Sequence, residues 1–389
     1  MSTSAFFSPT PFVFERGAAK SVGQRFKAMG STKILLVCDK GIAASGLAAR
    51  ITGYLKDADL EVIVYDGVQA DPPDWSAEES GKLGVDNNVD GFLGLGGGSS
   101  IDTAKASAVL QAGGFPLSKH YMSPGLPPTP LPVPMKPLIV IPTTAGTGSE
   151  VSPGGIITES ATGAKQSVNC PTTLALVDPE MSIGLPPAIT AMTGFDALCH
   201  AIESLTSKEP NAAARVLGME AVRLVATNLE EAVVNGANME AREGMQLAAS
   251  LAIMSIIGPF CHIPHDIGMA IGSKLHIPHG AACAYNLAES MRYIGPSIPK
   301  QMKDVAVAML QDVPVNAMPE EITDIVVKAI LDLAKRAKMP KITDYVKTKE
   351  EYLGKADFIF EIMPFVFSPI PVTKEALVEI LSKSYDNAS

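Results

Sequence analysis

Residues 89–105 read Val89-Asp-Gly-Phe-Leu-Gly-Leu-Gly-Gly-Gly-Ser-Ser-Ile-Asp-Thr-Ala-Lys105, and this stretch is the strongest indication of the fold class. The run up to Leu95 is short and apolar with strand character, and the residues from Thr103 to Gln111 are helix-like. Consecutive glycines between them allow close backbone approach to a phosphate, and a helix N-terminus offers free N–H groups and a positive dipole end. The stretch therefore predicts a strand–loop–helix unit that binds a pyrophosphate.

The glycine run matches neither of two common nucleotide-binding motifs. Ser99 stands where the last glycine of Gly-x-Gly-x-x-Gly would fall, and Lys105 comes too late for a Walker A loop. A tight glycine turn without a ligand is the alternative interpretation.

Similar strand-like runs surround this unit in the first half of the chain, at residues 33–38, 61–65 and 138–141. Helix-like stretches separate them. Because strands that alternate with helices pair in parallel through right-handed crossovers, we predict a parallel α/β sheet.

The pattern changes near Leu185-Pro-Pro, where strand signals disappear and helical periodicity takes over. One apolar stripe at helical spacing, typical of a helix facing a core, comprises Ile322, Ile325, Val326, Ala329 and Leu333. We therefore predict two domains. Residues 1–185 form an α/β dinucleotide-binding domain, and residues 186–389 form an all-α metal-binding and substrate domain.

Composition and charge exclude several classes of protein. The 389 residues include 41 acidic and 31 basic ones, a net charge of −10, and no Lys/Arg cluster, which disfavours a nucleic-acid surface. No run reaches the ~18 uninterrupted apolar residues of a membrane span. Five scattered cysteines without a Cys-x-x-Cys pair favour a reduced, cytoplasmic setting. We expect neither nucleic acid nor membrane as a partner.

Two further features of the sequence favour the binding of a dinucleotide. The loop Pro142-Thr-Thr-Ala-Gly-Thr-Gly-Ser-Glu150 follows a predicted strand, and open α/β sheets bind ligands at strand carboxyl ends. Asp39 ends the run that begins at Lys33. A carboxylate there accepts hydrogen bonds from a ribose 2′-OH and repels a 2′-phosphate, which favours NAD over NADP. The alternative for Asp39 is a solvated turn residue.

Five of the six histidines lie within 80 residues, namely His200, His262, His265, His276 and His279. Asp196 precedes His200 by four residues, so the two side chains share one face of a helix. Two imidazoles from the later segment would complete a four-ligand site that suits Fe²⁺, Zn²⁺ or Mn²⁺. The residues alone leave open which two of those four histidines bind.

Taken in order, these motifs resemble the iron-containing (group III) alcohol dehydrogenase family over nearly the whole chain. The resemblance is carried by Phe14-Glu-Arg-Gly17, Asp39, the glycine run, the Pro142–Glu150 loop, the Gly194–Glu203 segment and Pro278-His-Gly280. It implies a Rossmann-like N-terminal domain and an all-α C-terminal domain, as in dehydroquinate synthase-like proteins, with a cleft between them. It also implies a homodimer.

The resemblance further implies the site residues. The family pairs an Asp with a His four residues later and adds two His fourteen apart, which gives the metal ligands Asp196, His200, His265 and His279. The cofactor contacts carried over are Gly97, Gly98, Ser99, Asp102, Thr143, Thr144, Ser152 and Lys165, with Asp39 matching NAD-preferring members. The implied cofactors are NAD(H) and a divalent metal, which is iron first, with zinc or manganese as alternatives.

The implied activity is hydride transfer between the nicotinamide and a primary alcohol or aldehyde bound to the metal. The ligands His265 and His279 would act at the reacting oxygen. Met269 stands where family members often carry a histidine near the substrate. We hypothesise that water, His262 or His276 supplies the proton instead.

Two more departures concern the substrate pocket. Cys283-Ala284 replaces the Asn-Ala that is common in the family, and Gly154 replaces a polar residue of some members. We therefore expect a pocket unlike that of a diol or lactaldehyde enzyme. An alternative is a reductase of an anionic aldehyde (a sulfo-, phosphono- or carboxylate semialdehyde) that pairs with Lys274, His262 and His276. Zinc-dependent glycerol dehydrogenase-like and maleylacetate reductase-like enzymes are further alternatives, and a non-catalytic metal- or nucleotide-binding protein is another.

Overall fold

The computed structural model describes residues 10–122, 130–209 and 211–389, apart from the side chain of Ser273. The described chain divides into two compact units. One contains the described residues up to Thr144 together with Gly148–Ile183, and we call it the sheet unit. The other contains Ala145–Thr147 and Gly184–Ser389, and we call it the helical unit.

The strands belong to the sheet unit. They are β1 (Phe12–Phe14), β2 (Lys33–Asp39), β3 (Glu61–Val68), β4 (Gly91–Gly96), β5 (Leu138–Pro142), β6 (Gly154–Thr158), β7 (Lys165–Asn169) and β8 (Leu174–Val177). Six of these described strands form a sheet in the order β1-β8-β5-β4-β2-β3, and every pair in it is parallel. The strands β6 and β7 form a separate antiparallel pair.

The α-helices of the sheet unit alternate with its first strands. They are α1 (Val22–Ala28), α2 (Lys40–Ala44), α3 (Leu47–Lys56), α4 (Asp74–Asp86) and α5 (Gly98–Gly113). Every residue of β4 and β5 is buried, as expected for central strands of a parallel sheet covered on both faces. The predicted α/β class is confirmed, and the four predicted strands are present as β2 to β5.

The helical unit contains only helices among its described elements. They are α6 (Pro187–Thr206), α7 (Ala212–Val234), α8 (Met239–Ser255), α9 (Ile263–Leu275), α10 (His279–Ile294), α11 (Pro299–Ala308), α12 (Pro319–Arg336), α13 (Lys349–Leu353), α14 (Ala356–Ile362) and α15 (Lys374–Ala388). The predicted all-α class of this half is confirmed. Of the described helices, none combines the length and the apolar character that crossing a lipid bilayer demands.

The helix α6 lies at the centre of the helical unit. It packs against α7, α8 and α10, and from Gly194 to Thr206 every residue is buried. A Cβ on Gly194 would lie 2.3 Å from Leu229 Cδ1 of α7, so this glycine permits the close approach of the two helices. A helix buried on all sides holds its polar side chains firmly, because each of them needs a partner in the core.

Candidate metal and nucleotide sites

Three helices of the helical unit bring potential metal ligands together. Asp196 lies on α6, His265 in the first turn of α9, and His279 begins α10. His265 Nε2 lies 3.6 Å and His279 Nε2 3.8 Å from the same Asp196 oxygen, Oδ1. The three side chains therefore converge on one point, as ligands of a single ion do.

A buried set of unused polar atoms marks that point. Within the described chain, Asp196 Oδ1, His265 Nε2 and His200 Nδ1 are buried and make no hydrogen bond. Buried polar atoms without a partner are uncommon in native proteins and call for an explanation. A divalent cation bound by carboxylate oxygen and imidazole nitrogen would satisfy Asp196 Oδ1 and His265 Nε2, so the residues present fit the metal that the sequence predicts.

His200 lies at the edge of this group. Its ring stacks on that of His265 with centroids 4.4 Å apart. The ligand atoms of His200, Cys261 and His265 lie within 4.8 Å of one another. The four predicted ligands thus lie in one neighbourhood, with three of them around a shared point and His200 against the ring of one ligand.

The charge states of these groups follow from burial and from their neighbours. Burial opposes the ionisation of Asp196, but His200, His265 and His279 hold its pKa well below the usual range. Burial lowers the pKa of His200 to about 4, so its imidazole is neutral at neutral pH. The charge of Cys283 raises the pKa of His279 to about 9, so a metal must displace a proton there.

Glu203 is a candidate functional residue that the sequence analysis missed. It is fully buried on α6, its Oε1 lies 2.5 Å from His265 Nδ1, and its Oε2 accepts a hydrogen bond from the His262 backbone N–H at 2.6 Å. A carboxylate on Nδ1 fixes the imidazole tautomer and leaves Nε2 free for a metal. The only signal in the sequence was the i, i+4, i+7 spacing of Asp196, His200 and Glu203, which puts Glu203 on the same helix face but does not identify His265 as its partner.

Replacing Glu203 with glutamine should lower metal affinity by about 10–100-fold, because the amide no longer holds His265 with a full charge. Chelator competition on the folded protein measures this affinity. Glu379→Gln, on the exposed face of α15, is the control and should leave it unchanged. Equal affinities in Glu203→Gln and wild type would show that the carboxylate does not orient a ligand.

The absence of a side chain at Gly280, the residue after His279, has a structural reason. A Cβ at this position would lie 2.4 Å from the Met192 carbonyl oxygen and 3.1 Å from Asp196 Cβ. Only a residue without a side chain lets the start of α10 approach α6 so closely. The glycine therefore sets the distance between His279 and Asp196.

The two histidines predicted as proton donors, His262 and His276, differ in their surroundings, and Met269 differs from both. His262 is fully buried with Nε2 2.9 Å from Thr206 Oγ1, and burial lowers the pKa of His262 to about 4. His276 is exposed and ends α9 in the left-handed conformation with φ 54°. Met269 is half-buried and lies one turn after His265. A neutral, hydrogen-bonded His262 is poorly suited to donate a proton.

Lys274, the predicted partner of an anionic substrate, lies at the other end of α9. Nine residues separate it from His265, which is about 13.5 Å of helix rise. Its ammonium group lies 5.4 Å from the centre of the Phe358 ring. This position gives no support to a contact between Lys274 and a short substrate on the metal.

In the sheet unit, the glycine loop joins β4 to α5. Gly96 has φ 145°, a conformation that favours glycine, and a Cβ there would lie 2.6 Å from Ser100 Oγ. Gly97 is the N-cap of α5 and has no side chain to cap the first N–H groups of that 16-residue helix. The backbone from Gly97 to Ser99 therefore offers donors to a phosphate, as predicted for Gly97, Gly98 and Ser99.

Asp39 lies beside this loop. Its Oδ1 accepts a hydrogen bond from the Ile42 N–H at 2.9 Å and so caps α2, and its Oδ2 accepts one from Ser100 Oγ at 3.4 Å. The carboxylate is thus held at the carboxyl end of β2. That is the position in which an acid meets the ribose of a dinucleotide in open α/β sheets.

Asp102 is engaged within the protein. Its carboxylate accepts hydrogen bonds from the Ser149 hydroxyl and from the Ile156 N–H, the latter at 3.0 Å. Burial raises its pKa, and the ammonium group of Lys105 opposes that shift. These hydrogen bonds hold the loop that follows β5. A contact between Asp102 and the cofactor remains a prediction.

Lys105 is a second residue that the sequence analysis left without a role. It is fully buried, and its ammonium group donates to the Ser149 carbonyl at 2.7 Å, Ser152 Oγ at 2.9 Å and the Gly154 carbonyl at 2.8 Å. Burial lowers its pKa and the charge of Asp102 raises it. Lys105 therefore ties α5 to the segment that contains the predicted cofactor residue Ser152.

The other predicted cofactor residues are distributed around the sheet. Thr143 is buried and its Oγ1 makes no hydrogen bond to the described residues, and Thr144 lies against Gly97. Lys165 is on β7 and forms an ion pair with Asp71. The two threonines thus neighbour the glycine loop, whereas Lys165 occupies the β6–β7 pair.

The chain is similar in sequence to known protein families and to individual proteins. Residues 9–179 match the family described as iron-containing alcohol dehydrogenase, and residues 190–385 match the C-terminal part of the Fe-containing alcohol dehydrogenase family. The chain is 34% identical to a choline dehydrogenase of Bacillus subtilis (strain 168) over 306 residues, 78% of this chain and 76% of that protein. It is 34% identical to an NAD-dependent methanol dehydrogenase of Bacillus methanolicus over 293 residues, 72% of this chain and 76% of that protein.

A solved structure is also similar. A 1,3-propanediol oxidoreductase superimposes with a TM-score of 0.90 at 28% identity, covering 98% of this chain and 100% of that chain. Choline, methanol and 1,3-propanediol, the alcohols in the names of these three proteins, differ in size and charge.

Proposed function

Because this chain belongs to the iron-containing alcohol dehydrogenase family, we propose that it interconverts a small primary alcohol and its aldehyde with NAD(H). The proposed metal ligands are Asp196, His200, His265 and His279. The observation that carries this assignment is the unpartnered Asp196 oxygen with imidazole nitrogens 3.6 and 3.8 Å away. The enzyme is an oxidoreductase acting on CH–OH groups, and its cofactors are NAD(H) and a divalent metal, for which the family indicates iron.

The residues of the helical unit prepare the site for this chemistry. When bound, the metal supplies Lewis acidity to the alcohol or aldehyde oxygen, a contribution of several kcal/mol. Asp196 provides a fixed negative charge, and Glu203 holds His265 in the tautomer whose Nε2 is free. In oxidation the substrate carbon gives a hydride to NAD⁺ and its hydroxyl loses a proton, so NADH, the aldehyde and one proton are formed.

The proton needs an acceptor, and Met269 offers none. We propose that water takes this role, since His262 is hydrogen-bonded to Thr206 in the core. Met269→His should place a titratable imidazole on the same helix face as His265. The pH profile of kcat should then show an additional titration step at about pH 6.5, the ordinary pKa of an imidazole.

Met269→Leu is the matched control for that variant and should retain the wild-type profile. An unchanged profile in Met269→His would mean that this position does not face the reacting groups.

Cofactor preference should depend on Asp39. Asp39→Ser keeps a capping oxygen for α2 but removes the negative charge that repels a 2′-phosphate. Because like charges brought together cost several kcal/mol, the ratio of kcat/KM for NADPH to that for NADH should rise by more than about tenfold. Asp57→Asn removes an equal charge from an exposed position of the sheet unit and should leave the ratio unchanged. A constant ratio in Asp39→Ser would remove Asp39 from the cofactor site.

We also propose a cytoplasmic homodimer. The family resemblance supports the dimer, and five cysteines without a disulfide support a reducing compartment. Light scattering during size-exclusion chromatography measures the oligomeric state.

The function is tested by NADH oxidation with anaerobically purified protein that has been reconstituted with ferrous iron. The panel contains neutral and anionic short aldehydes. Turnover of neutral aldehydes is expected, because Lys274 lies far along α9 from His265. Turnover of anionic aldehydes alone would identify a specialised semialdehyde reductase. Cofactor binding without any turnover would identify a non-catalytic binding protein and contradict the proposal.

A further inference from the structure

Cys283 places a sulfur atom beside the candidate metal-ligand atoms of Asp196, His265 and His279. It lies on α10 four residues after His279, so both side chains share one helix face, and it is fully buried. Its Sγ lies 3.8 Å from His279 Nε2. The ligand atoms of Asp196, His265, His279 and Cys283 all lie within 4.8 Å of one another.

Three separations in this group are close to those around one small ion. Ligands at about 2.0–2.1 Å for nitrogen or oxygen and about 2.3 Å for sulfur stand about 3.3–3.6 Å apart in a tetrahedron. The distances from Asp196 Oδ1 to His265 Nε2 and His279 Nε2 are 3.6 and 3.8 Å, and that from Cys283 Sγ to His279 Nε2 is 3.8 Å. The remaining separations in the group are at most 4.8 Å, so modest movements of the side chains would bring the four atoms around one ion.

The neighbouring helix leaves room for the sulfur. A Cβ on Gly268 of α9 would lie 2.5 Å from Cys283 Sγ, so any larger residue there would displace the thiol. Asp196 Oδ1 and His265 Nε2, both more than nine-tenths buried, point into the same group without a hydrogen-bond partner among the described residues. The sulfur therefore lies within 4.8 Å of two buried polar atoms that need a ligand.

We propose that Cys283 is a sulfur ligand of the metal, bound together with Asp196, His265 and His279. This inference rests on the metal site proposed above: it keeps Asp196, His265 and His279 and puts Cys283 in the fourth position, which was assigned there to His200. As the metal binds, the single proton of the Cys283–His279 pair passes to solvent, and the sulfur binds as a thiolate. A thiolate among nitrogen and oxygen donors makes the set softer, which favours zinc over iron or manganese.

X-ray absorption at the zinc edge of the full-length, zinc-loaded protein tests the proposal. A sulfur scatterer should appear at about 2.3 Å beside nitrogen and oxygen at about 2.0–2.1 Å. Zinc surrounded by nitrogen and oxygen alone would overturn the role of Cys283 and leave the metal site of the proposed function standing. Failure to bind zinc or iron at all would overturn both. The wild-type spectrum decides the presence of sulfur without requiring a variant to fold.

Variants identify which sulfur is bound. Cys283→Ser should bind zinc without the sulfur signal, whereas Cys261→Ser, the matched control beside His200 and His265, should retain it. Loss of a residue that only orients a ligand typically lowers metal affinity about 10–100-fold, so loss of Cys283 should lower zinc affinity at least as much. A sulfur signal that persists in Cys283→Ser and disappears in Cys261→Ser would overturn the proposal.

Discussion

His265→Ala should lower kcat/KM by about 1,000-fold or more, because the substitution removes a metal ligand and with it a Lewis-acid contribution of several kcal/mol. Both ring nitrogens of His265 have a role, with Nδ1 on Glu203 and Nε2 directed at Asp196. The variant also leaves the buried Glu203 carboxylate without its imidazole partner. No other single histidine in the described chain combines these two contacts.

Steady-state NADH oxidation and metal analysis of the same preparation measure this effect. His276→Ala is the control, since His276 is exposed at the end of α9 and should change kcat/KM by less than about twofold. Native circular dichroism of His265→Ala would exclude global unfolding as the cause. Retention of both metal and turnover by the alanine variant would contradict the assigned site.

Lys105→Met should reduce the free energy of unfolding by about 3–5 kcal/mol, because it breaks a buried charge network. The ammonium group donates to carbonyls of Ser149 and Gly154 and to the hydroxyl of Ser152, and these acceptors would be left in the core. The buried carboxylate of Asp102 would lose its neighbouring positive charge. Methionine fills a similar volume, so loss of packing contributes little.

Urea unfolding followed by circular dichroism measures this loss. Lys82→Met is the matched control, because Lys82 is 69% exposed and pairs with Asp86 on the surface of α4. That control should lie within about 0.5 kcal/mol of wild type. A change below about 1 kcal/mol in Lys105→Met would show that the network does not hold the loop after β5.

The strand–glycine–helix unit was predictable because its signals are local. The apolar run of β4, the glycines from Gly96 to Gly98 and the start of α5 are adjacent in sequence and each has a direct physical reason. The strands β1 and β8 and the β6–β7 pair were not predicted. A four-residue apolar run such as Leu174–Val177 cannot be distinguished from a buried helical segment by periodicity.

The metal neighbourhood was predictable in part for the same reason. The i, i+4 spacing of Asp196 and His200 is local, whereas the choice of His265 and His279 came from the family resemblance. The role of Glu203 depends on α9, 62 residues further along the chain, so no local pattern pairs it with His265. The assignment of these residues as ligands stays a prediction.

Lys105 illustrates how a residue preference can mislead. Lysine is almost never fully buried, so a lysine after a glycine loop suggests an exposed or ligand-binding side chain. Here α5 is buried nearly throughout, from Ser100 to Leu110. A helix without a polar face must hold its few charges by internal hydrogen bonds, and the composition of α5 was the available signal.

Turnover by this enzyme should depend on a divalent metal held in the helical unit. The most direct test removes the metal with a chelator and then returns it while NADH oxidation is followed with a short neutral aldehyde. We predict that the metal-free protein still binds NADH but does not turn over, and that one metal per chain restores the rate. Full turnover by the metal-free protein would contradict the account, as would full metal binding that restores no activity.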